Sequence, residues 1–311
     1  MVSRFRRELI GILAGGLLVS CQPDAPSSND SNVPMRSIEH AMGTTQIPVS
    51  PERVVVLDSA PLATAFALDV IPVGRPGFAD FSFYPEDNKT ITSIGIGRRP
   101  NLETVLNLRP DLILGSMLAE EGFYQKLSRI APTVFTEDNG RYGNWQTHFL
   151  LHADALGQLE KAEELLAVYQ QRVDRLKVSL RPSPQTLTVS VIFNWPGGTS
   201  AYTTRSFSGA VLQDLSFGRN PAQDTSENYA IHPSKEELSA IDGDIIFLAY
   251  NSGNEGSITK AEFVSDPLWS TLNAVEQGIV CEVSSAIWAG GRSLLAANQI
   301  LTDIEQCLRT Q

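Results

Sequence analysis

Residues 101–115 read NLETVLNLRPDLILG, and residues 234–249 read SKEELSAIDGDIIFLA. Shifted by 133 positions, Glu103 meets Glu236, Val105 meets Leu238, Leu108 meets Ile241 and Asp111 meets Asp244. Each stretch predicts a capped helix, a two-residue turn and a buried strand, because a polar cap precedes helical spacing and a short apolar run follows. A looser echo follows each: Leu127 and Ile130 precede Thr133 much as Leu272 and Val275 precede Ile279. One lobe folded twice explains both.

Working outward, apolar strand-like runs recur at Val54–Leu57, Asp111–Leu114, Thr133–Phe135, Leu187–Phe193, Asp244–Leu248 and Ile279–Val283. Helical patterns separate them at Pro61–Leu68, Leu102–Leu108, Phe207–Leu215 and Leu294–Leu308. This alternation predicts α/β architecture: two Rossmann-like lobes with mostly parallel sheets. Between the copies, Ala162, Leu165, Leu166, Tyr169, Val173 and Leu176 keep helical spacing within Leu159–Leu180, with Gly157 before and Pro182 and Pro184 after. One long α-helix of roughly 33 Å at ~1.5 Å per residue is therefore expected to join the lobes and limit wide hinge motion.

The chain has 311 residues, 42% hydrophobic and 19% charged, enough apolar material for substantial cores. Its formal charge of −11 argues against nucleic acid as a partner. Three cysteines are too few for a disulfide scaffold.

The amino terminus reads as an address. Arg4, Arg6 and Arg7 precede an apolar run from Leu9 to Val19, too short to span a bilayer as a helix. Leu18-Val19-Ser20-Cys21 resembles the bacterial lipobox, which implies cleavage before Cys21 and acylation of that residue. Arg6-Arg7 leaves both the general secretory and the twin-arginine route open. Loss of residues 1–20 removes three Arg and Glu8, taking the charge from −11 to −13. The expected order is a lipoprotein signal at 1–20, a Pro- and Ser-rich tether at 21–37, an amino-terminal lobe at 38–157, the spacer helix at 158–182 and a carboxyl-terminal lobe at 183–311.

Several stretches together resemble the ABC-importer substrate-binding proteins for ferric siderophores and cobalamin, in which one helix joins two α/β lobes. They are Pro51–Leu57, Val70–Gly74, Pro100–Glu103 with Leu108–Ile113, Glu237-Leu238 with Asp244–Phe247, and Asp266–Trp269. The resemblance implies an exported, lipid-anchored carrier, monomeric and without a cofactor. Such a carrier binds an iron(III)-siderophore complex between its lobes and hands it to an ABC permease dimer with its ATPase. It also implies that Glu103 and Glu236, one carboxylate per lobe, dock on arginines of the permease. Ser234-x-x-Glu237 forms a capping-box pattern, so Glu236 is free of that task.

Ferric siderophores are often anionic, and the planar fork of arginine matches paired oxygens. Arg75, Arg98, Arg99, Arg205 and Arg292 fall in loops after predicted strands, where open α/β sheets bind ligands. Tyr84, Trp195, Tyr229 and Trp288 add stacking surface; Trp288 stands beside Gly290-Gly291-Arg292, where the family often presents an aromatic to its ligand. The family's hydroxamate binders carry an Arg three residues before the Pro of Pro-Asn-Leu-Glu. Here that position is Gly97, followed by Arg98 and Arg99.

Other readings fit less well. Cobalamin, amide-rich and bulky, would need few cations. Direct metal delivery would rest on His40, His148, His152 and His232; of these only His148 and His152 have helical ligand spacing, and a helix-surface or lobe-packing role explains such a pair far better. A lipid-anchored enzyme lacks a visible nucleophile elbow, and Gly95-x-Gly97 meets Pro100 where a dinucleotide loop needs its third glycine. A sensor lobe feeding a receptor remains an alternative. Cys281 and Cys307 permit either a disulfide or two buried thiols.

Overall fold

The computed structural model describes residues 33–77, 84, 90–95, 99–117, 121–195, 198–250, 265 and 267–309, the side chains at 121, 122, 195, 235 and 250 excepted. The leader, Cys21 and Arg98 lie outside the described residues, as does the side chain of Trp195.

The chain enters through an antiparallel hairpin, β1 (Met35–His40) and β2 (Gly43–Pro48), with Met35 opposite Pro48 and His40 opposite Gly43. The tether drawn over 21–37 thus runs into a strand. Arg36 holds that strand down with a 3.0 Å ion pair to Asp154, and Ile38 and Ile47 are buried beneath it.

Five parallel strands follow: β3 (Val54–Val56), β4 (Gly74–Arg75), β5 (Thr92–Ser93), β6 (Leu112–Ser116) and β7 (Thr133–Thr136), in the order β5-β4-β3-β6-β7. Helices α1 (Ser59–Ala67), α2 (Leu102–Asn107) and α3 (Glu121–Leu127) connect them. After α4 (Trp145–Ala155) and α5 (Leu159–Ser179), a second sheet begins with β8 (Thr188–Trp195). Then come β9 (Gly198–Tyr202), α6 (Phe207–Asp214), β10 (Gly218–Arg219), β11 (Ala230–Ile231), a 3-10 stretch Lys235–Ile241, β12 (Ile245–Tyr250), α7 (Asn273–Glu276), β13 (Val280–Ser284), α8 (Ser285–Trp288) and α9 (Leu294–Arg309).

The second sheet runs β11-β9-β8-β12-β13, with β10 beside the start of β8. Its path β10-β8-β12-β13 is parallel and repeats β4-β3-β6-β7 of the first. The difference is β9, which folds back antiparallel on the far end of β8. The paired stretches also differ. Asn101 caps an α-helix through Thr104 N–H at 3.0 Å. The capping box of Ser234 and Glu237 opens a 3-10 stretch instead, interrupted at Glu237 (φ −101°, ψ 23°).

Strand periodicity sorts the core into layers. Val54 and Val56, Leu112 and Leu114, Val189 and Val191, and Ile245 and Phe247 all join one cluster with α1, α4, α5, α6 and α9. The alternate residues Val55 and Ile113 face a second cluster beneath α2 and α3, and Ile192, Ile246 and Leu248 face a third with Trp269 and Leu272. The two sheets therefore share a single inner core.

Helix α5 is tied to both halves. Lys161 bonds the end of α1 at Leu68 O (2.9 Å) and Asp69 (2.7 Å). Further along, Tyr169 donates to Asp214 of α6 at 2.8 Å, and Arg172 to Asn298 O of α9 at 2.7 Å. Its 21 residues span roughly 31 Å at ~1.5 Å each, so these ties fix the spacing of the two sheets. Cys281 of β13 is disulfide-bonded to Cys307 of α9.

Candidate functional site

Parallel strands deliver their carboxyl ends, and the loops after them, to one edge of each sheet. After β3 comes Asp58, which caps α1 through Ala60 N–H (3.1 Å) and accepts from Ser116 Oγ (2.8 Å) at the end of β6. Burial pushes its carboxyl above the usual range, against the pull of those hydrogen bonds and of Arg292. Ser59 reaches the second half, its Oγ donating to Gly290 O at 3.4 Å, and Tyr84 Oη donates to Ser59 O at 3.3 Å.

The loop between β7 and α4 wedges against the second half. Asp138 shapes it by accepting from Gly140 N–H (2.6 Å) and Asn144 Nδ2 (2.9 Å). Gly140 and Gly143 both have left-handed backbones, with φ of 79° and 78°. A Cβ on Gly140 would stand 3.3 Å from Arg292 Cβ, and one on Gly143 3.2 Å from Ala210 Cβ and the Ser206 carbonyl. Only glycine allows both that conformation and that approach. Between them, Arg141 O accepts from Phe207 N–H at 3.2 Å.

This brings three arginines together. Arg141 lies over the Tyr229 ring at 4.7 Å, its Nη1 3.5 Å from the hydroxyl, and its Nε is buried without an acceptor. Arg205, exposed, lies over Tyr142 at 5.1 Å and donates to Ser226 O. Burial lowers the Arg292 guanidinium from the usual arginine range, and neighbouring Arg141 lowers it further; Tyr202, Asp58 and Tyr229 partly offset this. Tyr202 is pushed up to about 12, chiefly by burial. Its ring lies 6.3 Å from Tyr229 and 6.4 Å from Phe193. Among the described residues no carboxylate forms an ion pair with Arg141, Arg205 or Arg292. The edge is a tyrosine-walled surface with three arginines beside the half-buried carboxyls of Asp58 and Asp138, and guanidiniums without an ion-paired carboxylate among the described residues suit an anion.

Of the residues expected here, Tyr84, Arg205, Tyr229 and Arg292 lie along this edge. Trp288 does not: it is fully buried, stacked on Phe247 at 4.4 Å, and its Nε1 donates to Asp303 at 2.8 Å. The short helix α8 turns its ring into the inner core, so it offers no face to a ligand. Arg75 is buried at the end of β4 and donates to Pro76 O at 3.0 Å; Arg99 is exposed on the connection before α2. Arg141, Tyr142, Tyr202 and Asp58 were not anticipated. A sequence signal existed for the first two: Gly140-Arg141-Tyr142-Gly143 follows the predicted strand at Thr133–Phe135.

Glu103 stands exposed in the first turn of α2. Glu236 is exposed in the first turn of the 3-10 stretch, where Glu237 closes the capping box by accepting from Ser234 N–H at 2.9 Å. Each turn begins a connection leading back into a parallel strand, so both carboxylates stand at the carboxyl edges of their sheets. His148 and His152 are buried on α4. Burial lowers both, His152 to about 3, and His152 Nε2 lies 3.4 Å from Gly115 O.

Two echoing α/β sheets at a spacing fixed by one helix, with a charged patch where their carboxyl edges adjoin, define a two-lobed binding protein. The chain belongs to the periplasmic binding protein family, whose sequence signature it matches over residues 54–286. It is 33% identical over 310 residues to the probable siderophore-binding lipoprotein YfiY of Bacillus subtilis, covering 94% of each chain. It is 28% identical over 315 residues to the Fe(3+)-citrate-binding protein YfmC of the same organism, covering 96% of this chain and 97% of that one. Its fold superimposes on Staphylococcus aureus SirA complexed with staphyloferrin B with a TM-score of 0.77 at 29% identity, covering 88% of this chain and 98% of SirA.

Proposed function

We propose that this chain is the extracytoplasmic solute-binding component of an ABC importer, which holds a ferric siderophore between its lobes and passes it to a membrane permease. The observation that carries the reading is the juxtaposition of Arg141 and Arg292, two like charges with no ion-paired carboxylate of their own among the described residues. A bound anion relieves their repulsion. Arg205, Tyr84, Tyr202 and Tyr229 complete the surface, and binding requires no bond to be made or broken by the protein. The names borne by YfiY and YfmC point to the same class of cargo.

In this reading Cys21 carries the lipid that keeps the carrier at the membrane, and Glu103 and Glu236 engage the permease. The protein acts as a carrier, not an enzyme. Tryptophan fluorescence tests the cargo: Trp145 is buried beside the 138–144 loop and meets Phe207 of α6 edge to face at 6.1 Å. Titration with iron-loaded and iron-free siderophores, with cobalamin as control, should give a saturable change for a ferric chelate alone. An equal response to the iron-free compounds, or none to any, would remove the proposal.

A further inference from the structure

Two cation–aromatic pairs cross between the halves in opposite directions. Arg141 and Tyr142 come from the loop after β7, whereas Arg205 and Tyr229 belong to the second half. Arg141 lies over Tyr229 at 4.7 Å, Arg205 over Tyr142 at 5.1 Å, and the two rings meet edge to face at 5.7 Å. We propose that this reciprocal arrangement makes the site select a ferric chelate that presents free carboxylates over one that presents catecholate rings. The inference rests on the ferric-siderophore reading above and narrows it.

The reason lies in what stacking leaves available. A guanidinium is drawn to the electron-rich face of a ring. A tris-catecholate complex offers such faces, but here the protein has already supplied a ring to each arginine. Each tyrosine already occupies one face of its guanidinium, so a catecholate competes with Tyr229 or Tyr142 for the same cation and gains at most the second face. Carboxylate oxygens compete for nothing of that kind. They accept from N–H groups on the guanidinium rim, which stacking on a ring leaves uncovered. Tyr142 and Tyr229 are thus positioning residues: each ring restricts a long, flexible cation from the opposite half, so that its N–H edge stays presented to the ligand.

The test titrates the full chain, followed by tryptophan fluorescence, with ferric citrate, a ferric tris-catecholate and a ferric trihydroxamate. Ferric citrate is expected to bind at least about tenfold more tightly than either of the others. In a Tyr142→Leu, Tyr229→Leu double variant that preference should shrink to within about threefold, while Tyr142→Phe, Tyr229→Phe retains it. A general loosening of the fold would not separate the two double variants in this way. Tighter binding of the tris-catecholate or trihydroxamate by the unaltered chain, or an unchanged preference in the leucine variant, overturns this inference and leaves the siderophore reading standing. Failure of all three ferric chelates to bind overturns both. If the leucine variant does not fold, the ranking shown by the unaltered chain decides.

Discussion

Arg292 packs against the loop backbone next to Arg141, its Cβ 3.3 Å from where a Cβ on Gly140 would stand, and the nearby Arg141 charge lowers the proton affinity of Arg292. The repulsion between the two charges costs the ligand-free protein stability, offset in part by Tyr229 beside Arg141 and Asp58 beside Arg292. Like charges repel, and Arg292 is half-buried as well.

The first prediction uses that sign. Replacing Arg292 or Arg141 by Met should weaken ferric-chelate binding about 10- to 100-fold, the loss of a charge-assisted hydrogen bond worth ~1.5–3 kcal/mol. The unfolding midpoint of the ligand-free protein should stay nearly unchanged, because the repulsion removed offsets the loss of the Tyr229 contact of Arg141 or of the Asp58 attraction of Arg292. Calorimetric titration and thermal melts on the same samples check this. A fall in both would mark the arginines as structural.

Burial of His152 sets a second expectation. Its pKa is about 3 in the folded protein against 6.5 for an ordinary histidine, so the unfolded chain takes up the proton first as pH falls. Its contribution is fully present above pH 6.5 and is lost progressively toward pH 3. Between pH 7 and pH 5 the loss comes to about 2 kcal/mol. His148, also lowered by burial, adds in the same direction. Asp58 acts oppositely: its raised pKa makes the folded form hold its proton more tightly, so stability grows as pH falls through its folded value. Urea unfolding of His152→Gln at the two pH values should show about 2 kcal/mol less acid loss than the unaltered chain. Parallel losses would contradict the assignment.

Trp288 gives the third. Trp288→Phe removes the hydrogen bond to Asp303 and leaves a gap against Phe247, a cost of about 1–3 kcal/mol. Chelate affinity should change by less than about twofold. A large affinity loss at unchanged stability would restore the ligand-facing role expected from its neighbours in sequence.

That misplacement shows where local reading stops. The echo between 101–115 and 234–249 was legible because its parts are local, and Asp111 and Asp244 bear it out in detail. Asp111 accepts from Glu52 N–H (2.8 Å) and Arg53 N–H (2.9 Å) at the entry to β3, and Asp244 accepts from Thr188 N–H (2.7 Å) at the entry to β8. The β1–β2 hairpin was not legible: its stretches are mostly polar, and its register depends on distant anchors such as Arg36 with Asp154. The pairing of Arg141 with Tyr229 spans 88 positions and leaves no local trace. Trp288 sits beside a Gly-Gly-Arg loop, yet its direction is decided by the turn of α8 and by Asp303 on the next helix. Spacing within an element survives translation into structure; the aim of a side chain depends on partners elsewhere.

The last prediction concerns Glu103 and Glu236, matched in sequence and placed alike at the carboxyl edges of the two sheets. Both are exposed, and neither closes a cap: Asn101 serves α2, and Ser234 with Glu237 serves the 3-10 stretch. Their replacement should therefore leave folding and the arginine cluster undisturbed. Glu103 does gain a little from the positive end of α2, so a small stability loss of about 0.3–1 kcal/mol is expected there. A Glu103→Ala, Glu236→Ala double variant should bind ferric chelate with unchanged affinity and yet fail to support its uptake by cells lacking the native copy. Each single variant should fall between, because one lobe would still engage. Glu237→Ala is the control: it disturbs the cap beside Glu236 but not the docking charge, so uptake should persist at reduced protein stability. Normal uptake by the double variant would dissociate these carboxylates from the permease, whereas lost binding would show that they belong to the ligand site.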